Sequence, residues 1–198
     1  MNSPSDLEPN SFAVPEPNIV PTGASRKIID EAGARIAKRY GFEPGANFHD
    51  FVQNALEGNV DVAEPDERIK FGYLRVPGAA NSKFDIILSP YTGDLHDRFT
   101  MAHELGHYFL HYLLQKRTDS LIIHREGTNR AESEANWFAE GFLMPSEEFQ
   151  SEWERCDGYM PDMINRFRVA SDLIANRKRT LDRMNSDPAS DGLPNEVK

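Results

Sequence analysis

Phe99–His111 reads FTMAHELGHYFLH, and the way its polar residues sit around a helix decides what the surrounding chain must build. His103 and His107 are four residues apart. At 3.6 residues per turn they differ by about 40° around the axis and by about 6 Å along it. Both imidazoles therefore face one side and can share one ion. Glu104 flanks the pair. This is the H-E-x-x-H arrangement, two histidine ligands for Zn²⁺ with a carboxylate placed to take a proton from water. Thr100, Met101, Ala102, Leu105, Gly106, Tyr108 and Phe109 are uncharged, as a helix buried behind a metal site requires. The competing reading is an amphipathic helix with solvent-facing histidines.

A catalytic zinc needs a third protein ligand. His111 follows His107 by four residues with no glycine between them, so it stays on the helix. Its face is displaced from that of His103 by about 80°, which makes it a poor ligand. Asp119 has no helix signal around it. A downstream segment, ESEANWFAEGFLMP, offers Glu132 and Glu134. Glu132, Ala135, Asn136 and Ala139 share one face of a helix, and its small residues permit close approach to the metal helix. Asn136 can accept an N–H from a ligating histidine. Glu134 lies about 200° from Glu132, on a face expected to be solvated. The spacing favours Glu132 over Glu134.

Outward from this pair of helices, the pattern alternates. SRKIIDEAGARIAKRYGF and FHDFVQNALEG carry helical periodicity and stop at Gly41 and Gly58. NVDVAE, RIKFGYLRV and KFDIILS read as strands, with PGAANS as a hairpin-like turn. They predict a small antiparallel or mixed sheet whose edge can hold an extended peptide. SLIIH reads as a β-branched linker. Asn129 with Glu132 forms an Asn-type capping box for a helix that Pro145 closes. SEEFQSEWERC is a further helix, and PDMINRFRVASDLIANRKRTLDRM reads as two helices joined near 169–171. The fold class is α+β, with a sheet packed on helices.

The chain has 198 residues, enough for one domain with small appendages. Residues 1–24 hold five prolines, three acids and no Lys or Arg. They read as a disordered or loosely docked arm. Residues 25–157 form the main domain, 158–184 a helical appendage, and 185–198 a flexible tail. A net charge of −10 disfavours nucleic acid as the main partner. Cys156, the sole cysteine, sits beside Glu154 and Asp157. Such neighbours raise a thiol pKa, so it reads as structural. With no signal peptide and no membrane-length apolar run, the expected location is the cytoplasm.

The blocks RFTMAHELGHYFLH, ESEANWFAEGFLMP and FRVASDLIANR resemble the ImmA/IrrE family of zinc metallopeptidases. The resemblance spans about residues 25–184 and is strongest over 98–145. It implies a gluzincin-like site with zinc on His103, His107 and Glu132 and with Glu104 as catalytic base. It also implies a zincin-like core and C-terminal helix-turn-helix-like helices. Family members are often encoded beside helix-turn-helix repressors, which they cleave or inactivate. Gly141 and Phe142 depart from the family's Ala/Glu–Leu, and the proline-rich arm lies outside its pattern.

The resulting expectation is a zinc endopeptidase acting on a protein substrate such as a repressor. Tyr91, His111 and His124 are unranked candidates for an oxyanion donor. One alternative is a non-enzymatic regulator that retains zinc and binds DNA through Arg166, Arg168, Arg177, Lys178, Arg179 and Arg183. Its competitor is a solvated basic face on a helix packed through Leu173, Ile174 and Leu181. A closed structural zinc site would need Cys or His, and the chain has no Cys placed for it.

Overall fold

The structure, a computed structural model, describes residues 18–65, 71–78, 82–124 and 129–186. The N-terminal arm up to 17, the first part of RIKFGYLRV, the tip of PGAANS and the tail beyond 186 lie outside the described residues.

Two helices open the domain, α1 (Arg26–Arg39) and α2 (Phe48–Leu56). Each is started by a side-chain cap: Ser25 accepts from the Ile28 N–H, and Asn47 from the Asp50 N–H at 3.2 Å. Strands β1 (Asn59–Val62), β2 (Gly72–Val76) and β3 (Asp85–Leu88) follow. Helix α3 (Asp94–Gly106) continues without a break into a π-helical stretch, His107–Leu113. Then come β4 (Leu121–His124), α4 (Arg130–Leu143), α5 (Ser146–Arg155), α6 (Met160–Phe167) and α7 (Ser171–Ser186).

The sheet order is β1-β3-β2-β4. Strand β2 pairs antiparallel with β3 and with β4, whereas β1 pairs parallel with β3. The sheet, expected antiparallel or mixed, is thus mixed. The reason is the order of turns: β2 reverses the chain between β1 and β3, so β3 runs with β1 and inserts beside it. All four residues of β3 are buried, which accounts for the apolar run Ile86–Leu88 in a central strand, while buried Asp85 pairs with Arg75. SLIIH is an edge strand rather than a linker. It alternates buried Leu121 and Ile123 with exposed Ile122 and His124, the period of a half-covered strand.

Helix α4 lies at the centre of the helical layer, buried against α1 on one side and α3 on the other. Its Phe138, Ala139, Phe142 and Leu143 have no exposed surface. The close approach depends on glycines. A Cβ at Gly141 would stand 2.0 Å from the Asp30 carbonyl oxygen of α1. At Gly106 it would stand 2.9 Å from the Ala135 Cα. Gly141, where the sequence departs from the family's pattern, and Gly33 of α1, where a Cβ would stand 2.3 Å from the Phe138 carbonyl oxygen, therefore together let α1 seat against α4.

Helices α6 and α7 contribute Met163, Phe167, Ile174 and Leu181 to the same hydrophobic cluster as α3 and α4. Their cations are largely spent inside the chain. Arg177 is fully buried and forms a two-pronged ion pair with Asp30 of α1, with its Nε–H donating to the Met144 carbonyl at 3.0 Å. Arg166 donates to the Pro44 carbonyl at 3.0 Å and pairs with Glu148 at 3.1 Å. Lys178 pairs with Asp182. The basic face read from sequence is thus partly a set of internal staples. Among the described residues no helix is long and apolar enough to cross a membrane.

Candidate metal centre

Asn129 sets where α4 begins. Its side-chain oxygen accepts the Glu132 N–H at 3.0 Å and fixes the first turn that carries Glu132. On the facing helix, Gly106 lets α3 come down onto Ala135. These two local features bring His103, His107 and Glu132 together. Glu132 Oε2 lies 3.2 Å from His103 Nε2, and Glu132 Oε1 lies 3.2 Å from His107 Nε2. The two Nε2 atoms are 3.1 Å apart. All three residues are buried, and their potential ligand atoms lie within 4.8 Å of one another.

The far sides of the rings determine which nitrogen faces the centre. His103 Nδ1 lies 2.9 Å from Asn136 Oδ1. An amide oxygen only accepts, so His103 carries its proton on Nδ1 and presents a lone pair at Nε2. His107 Nδ1 lies 3.0 Å from His111 Nδ1, and His111 Nε2 lies 3.1 Å from Glu134 Oε2. Ionised Glu134 accepts from His111 Nε2–H. His111 Nδ1 then accepts from His107 Nδ1–H, and a second lone pair points inward at His107 Nε2. Two imidazole lone pairs and a carboxylate converge, a donor set that fits a cation. Ligands about 2.0–2.1 Å from one tetrahedral ion stand about 3.3 Å apart, close to the separations seen.

Burial works to raise the Glu132 pKa, but the facing His103 and His107 outweigh it and hold it down at about 2, so the carboxylate is ionised where the two imidazoles converge. Burial, followed by the neighbouring His107, pushes His111 down to about 4, so it stays neutral and can donate on one side and accept on the other. Glu134 is also held below the ordinary glutamate value. Burial opposes this, and the Thr22 N–H, His111 and Arg130 outweigh it.

Two of these residues sit differently from what the spacing predicts. His111 is a neighbour of the cluster and not a member of it, as expected, but it is not rotated off the face of His107, whose Nδ1 it meets at 3.0 Å. The π-helical stretch closes hydrogen bonds to the fifth residue, as from Leu114 N–H to the Phe109 carbonyl at 3.0 Å. Its wider turn advances fewer degrees per residue, undoing the rotation accumulated along α3. The His107 and His111 rings therefore lie side by side, centroids 5.0 Å apart and tilted by 47°. Glu134 is fully buried, not solvated. Besides His111 it accepts from the Thr22 N–H at 2.7 Å, the Gly23 N–H at 2.9 Å and Arg130 at 3.1 Å. This ties the segment before α1 to the back of the centre. Gln115 and Arg117 hold the same segment through the Val20 and Asn18 carbonyls. The signal available in sequence was a carboxylate between Ala131 and Ala135 on a helix with few charged neighbours.

Glu104 is fully buried one residue after His103. Of the oxyanion candidates, Tyr91 and His124 are exposed, and His111 is engaged behind His107. Asp119 pairs with Arg117 at 2.6 Å.

A mixed sheet backed by helices, with a His-x-x-x-His helix facing a Glu-bearing helix, defines an α+β domain of zincin type. The sequence profile of the family described as Peptidase_M78, IrrE N-terminal-like domain, matches residues 68–178, more than half of the chain, which therefore belongs to that family. Among solved structures, a Mycobacterium tuberculosis transcriptional regulator superposes with a TM-score of 0.55 at 18% identity, over 85% of this chain and 50% of that one. That likeness is one of fold, and this chain spans about half the length of that protein. No curated protein sequence matches it significantly.

Proposed function

We propose that this protein is a zinc-dependent endopeptidase of the cytoplasm, with His103, His107 and Glu132 as metal ligands and Glu104 as general base. The single observation that carries the reading is the convergence of two tautomer-fixed imidazole lone pairs and one carboxylate in a buried cluster. Zinc bound there would supply Lewis acidity toward a scissile carbonyl and toward water. Glu104 takes the proton from the attacking water and returns it to the leaving amine. Asn136 and the His111–Glu134 pair hold the imidazoles in their ligating tautomers. The substrate is a regulatory protein, in keeping with the resemblance a helix-turn-helix repressor. In this reading residues 25–157 carry the peptidase and 158–184 brace it.

The DNA-binding alternative needs free cations on α6 and α7. The commitment of Arg177, Arg166 and Lys178 to partners within the chain weighs against it. The deciding experiment incubates the zinc-loaded protein with a helix-turn-helix repressor, taken from a neighbouring gene if one is there, and reads products by intact mass. Glu104→Gln should retain zinc while cleavage falls by about 10²–10⁴-fold. Cleavage at the wild-type rate by that variant would sink the mechanism.

A further inference from the structure

On α3, one and a half turns before His103, Arg98 points the other way from the metal ligands. It lines a pocket of about 490 Å³ with Phe48, His49, Asp94, Asp97 and Arg168. None of His103, His107 and Glu132 lines it. The volume falls in the range of small-molecule sites.

Arg98 is only 8% exposed. Its guanidinium is seated over the Phe42 and Phe48 rings, 5.6 and 5.5 Å from their centroids. Nη1 donates to the Ala46 carbonyl at 2.5 Å. Nε and Nη2 are buried with no hydrogen-bond partner among the described residues, and no described carboxylate pairs with them. These two N–H groups are the parallel pair along one edge of the guanidinium, the fork that matches two oxygens of a carboxylate or phosphate. A buried cation with half its donors unsatisfied is costly, and the cost is removed when an oxyanion arrives.

The surroundings supply more positive potential. Arg168, exposed at the turn after α6, lies close enough to lower the Arg98 pKa after burial has done so. The first turn of α2 opens onto the same pocket at Phe48 and His49, where helical N–H groups lack intrahelical partners. Asp94 and Asp97, on the same helix as Arg98, also line the pocket, and Asp97 takes the Thr92 hydroxyl at 2.5 Å.

The geometry points to a binding site for a small oxyanion, a carboxylate or a phosphate group, gripped side-on by Arg98 Nε and Nη2 and assisted by Arg168. It is separate from the metal centre but shares helix α3 with it.

The test titrates the zinc-loaded full-length protein with inorganic phosphate and, in parallel, with acetate. The Arg98 Nε–H resonance is followed by heteronuclear NMR, and the melting temperature is recorded alongside. Saturable movement of that resonance with either probe, accompanied by a rise in melting temperature, is the expected result. Response to phosphate alone assigns a phosphate-bearing ligand, and response to acetate alone assigns a carboxylate. Arg98→Lys keeps the charge but loses the fork and should weaken binding by about a hundredfold. Arg168→Asn suits the left-handed backbone there and should weaken it by about fivefold. An Arg98 Nε–H signal unmoved by both anions overturns the site. So does undiminished binding in a folded Arg98→Lys protein, which would put the anion elsewhere, such as on the metal. Should Arg98→Lys not fold, the wild-type resonance alone decides.

Discussion

His111 shows how much one side chain behind a proposed metal ligand can determine. It touches no ion-facing atom, yet it fixes which nitrogen of His107 is free to ligate, and Glu134 in turn fixes His111. Outer partners of this kind are typically worth 10–100-fold in metal affinity. Glu134→Gln should therefore raise the zinc dissociation constant by about 10–100-fold, read by competition with a chromogenic chelator. The amide can still accept from His111, so the circular dichroism spectrum should be unchanged. His111→Ala should weaken zinc by at least as much, because His107 then loses its acceptor altogether. An unchanged affinity in both variants would remove the pair from the metal centre's support.

Among the elements, the contact of α3 with α4 carries the site, and its closeness rests on one atom's absence. At Gly106 a methyl group would meet the Ala135 backbone at 2.9 and 3.0 Å, and backbone cannot step aside. Gly106→Ala should cost about 1–3 kcal/mol in unfolding free energy, as overpacking does. It should also weaken zinc, because the helices part at the level of His103 and Glu132. Denaturant titration of the metal-free protein separates the first effect from the second. The π-helical stretch belongs to this scale as well. It turns His111 under His107, whereas an α-helical continuation would carry it off the common face.

For the molecule as a whole, the C-terminal helices lock onto the first helix through a buried charge. Arg177 of α7 reaches Asp30 of α1 with both prongs and caps the end of α4 at the Met144 carbonyl. Arg26 of α1 adds a 2.6 Å ion pair to Glu140 of α4 and a 3.0 Å bond to Thr180 of α7. Breaking such a pair from one side strands a buried charge. Arg177→Met should destabilise the fold by about 3–5 kcal/mol, and Asp30→Leu in the same chain should recover a large part of that loss. Urea unfolding of the single and double variants checks it. If the single substitution costs no more than a surface change, the staple contributes nothing to holding the layers together.

Much of the chemistry was legible in one dimension. An H-E-x-x-H spacing puts two imidazoles on one face by helical geometry alone. A capping asparagine three residues before Glu132 starts α4 in the right phase, because both facts are local and depend only on short-range backbone periodicity. Tertiary structure decided what periodicity does not encode. The sheet became mixed because strand order depends on which edge is free. SLIIH became an edge strand because β2 had an unpaired side. The basic C-terminal run turned inward because Asp30, 147 residues away, sits where Arg177 can reach it. His111 and Glu134 met because a π-helical stretch and a buried helix face, neither visible in residue spacing, brought a donor and a carboxylate together in the buried interior, where each satisfies the other's hydrogen bond.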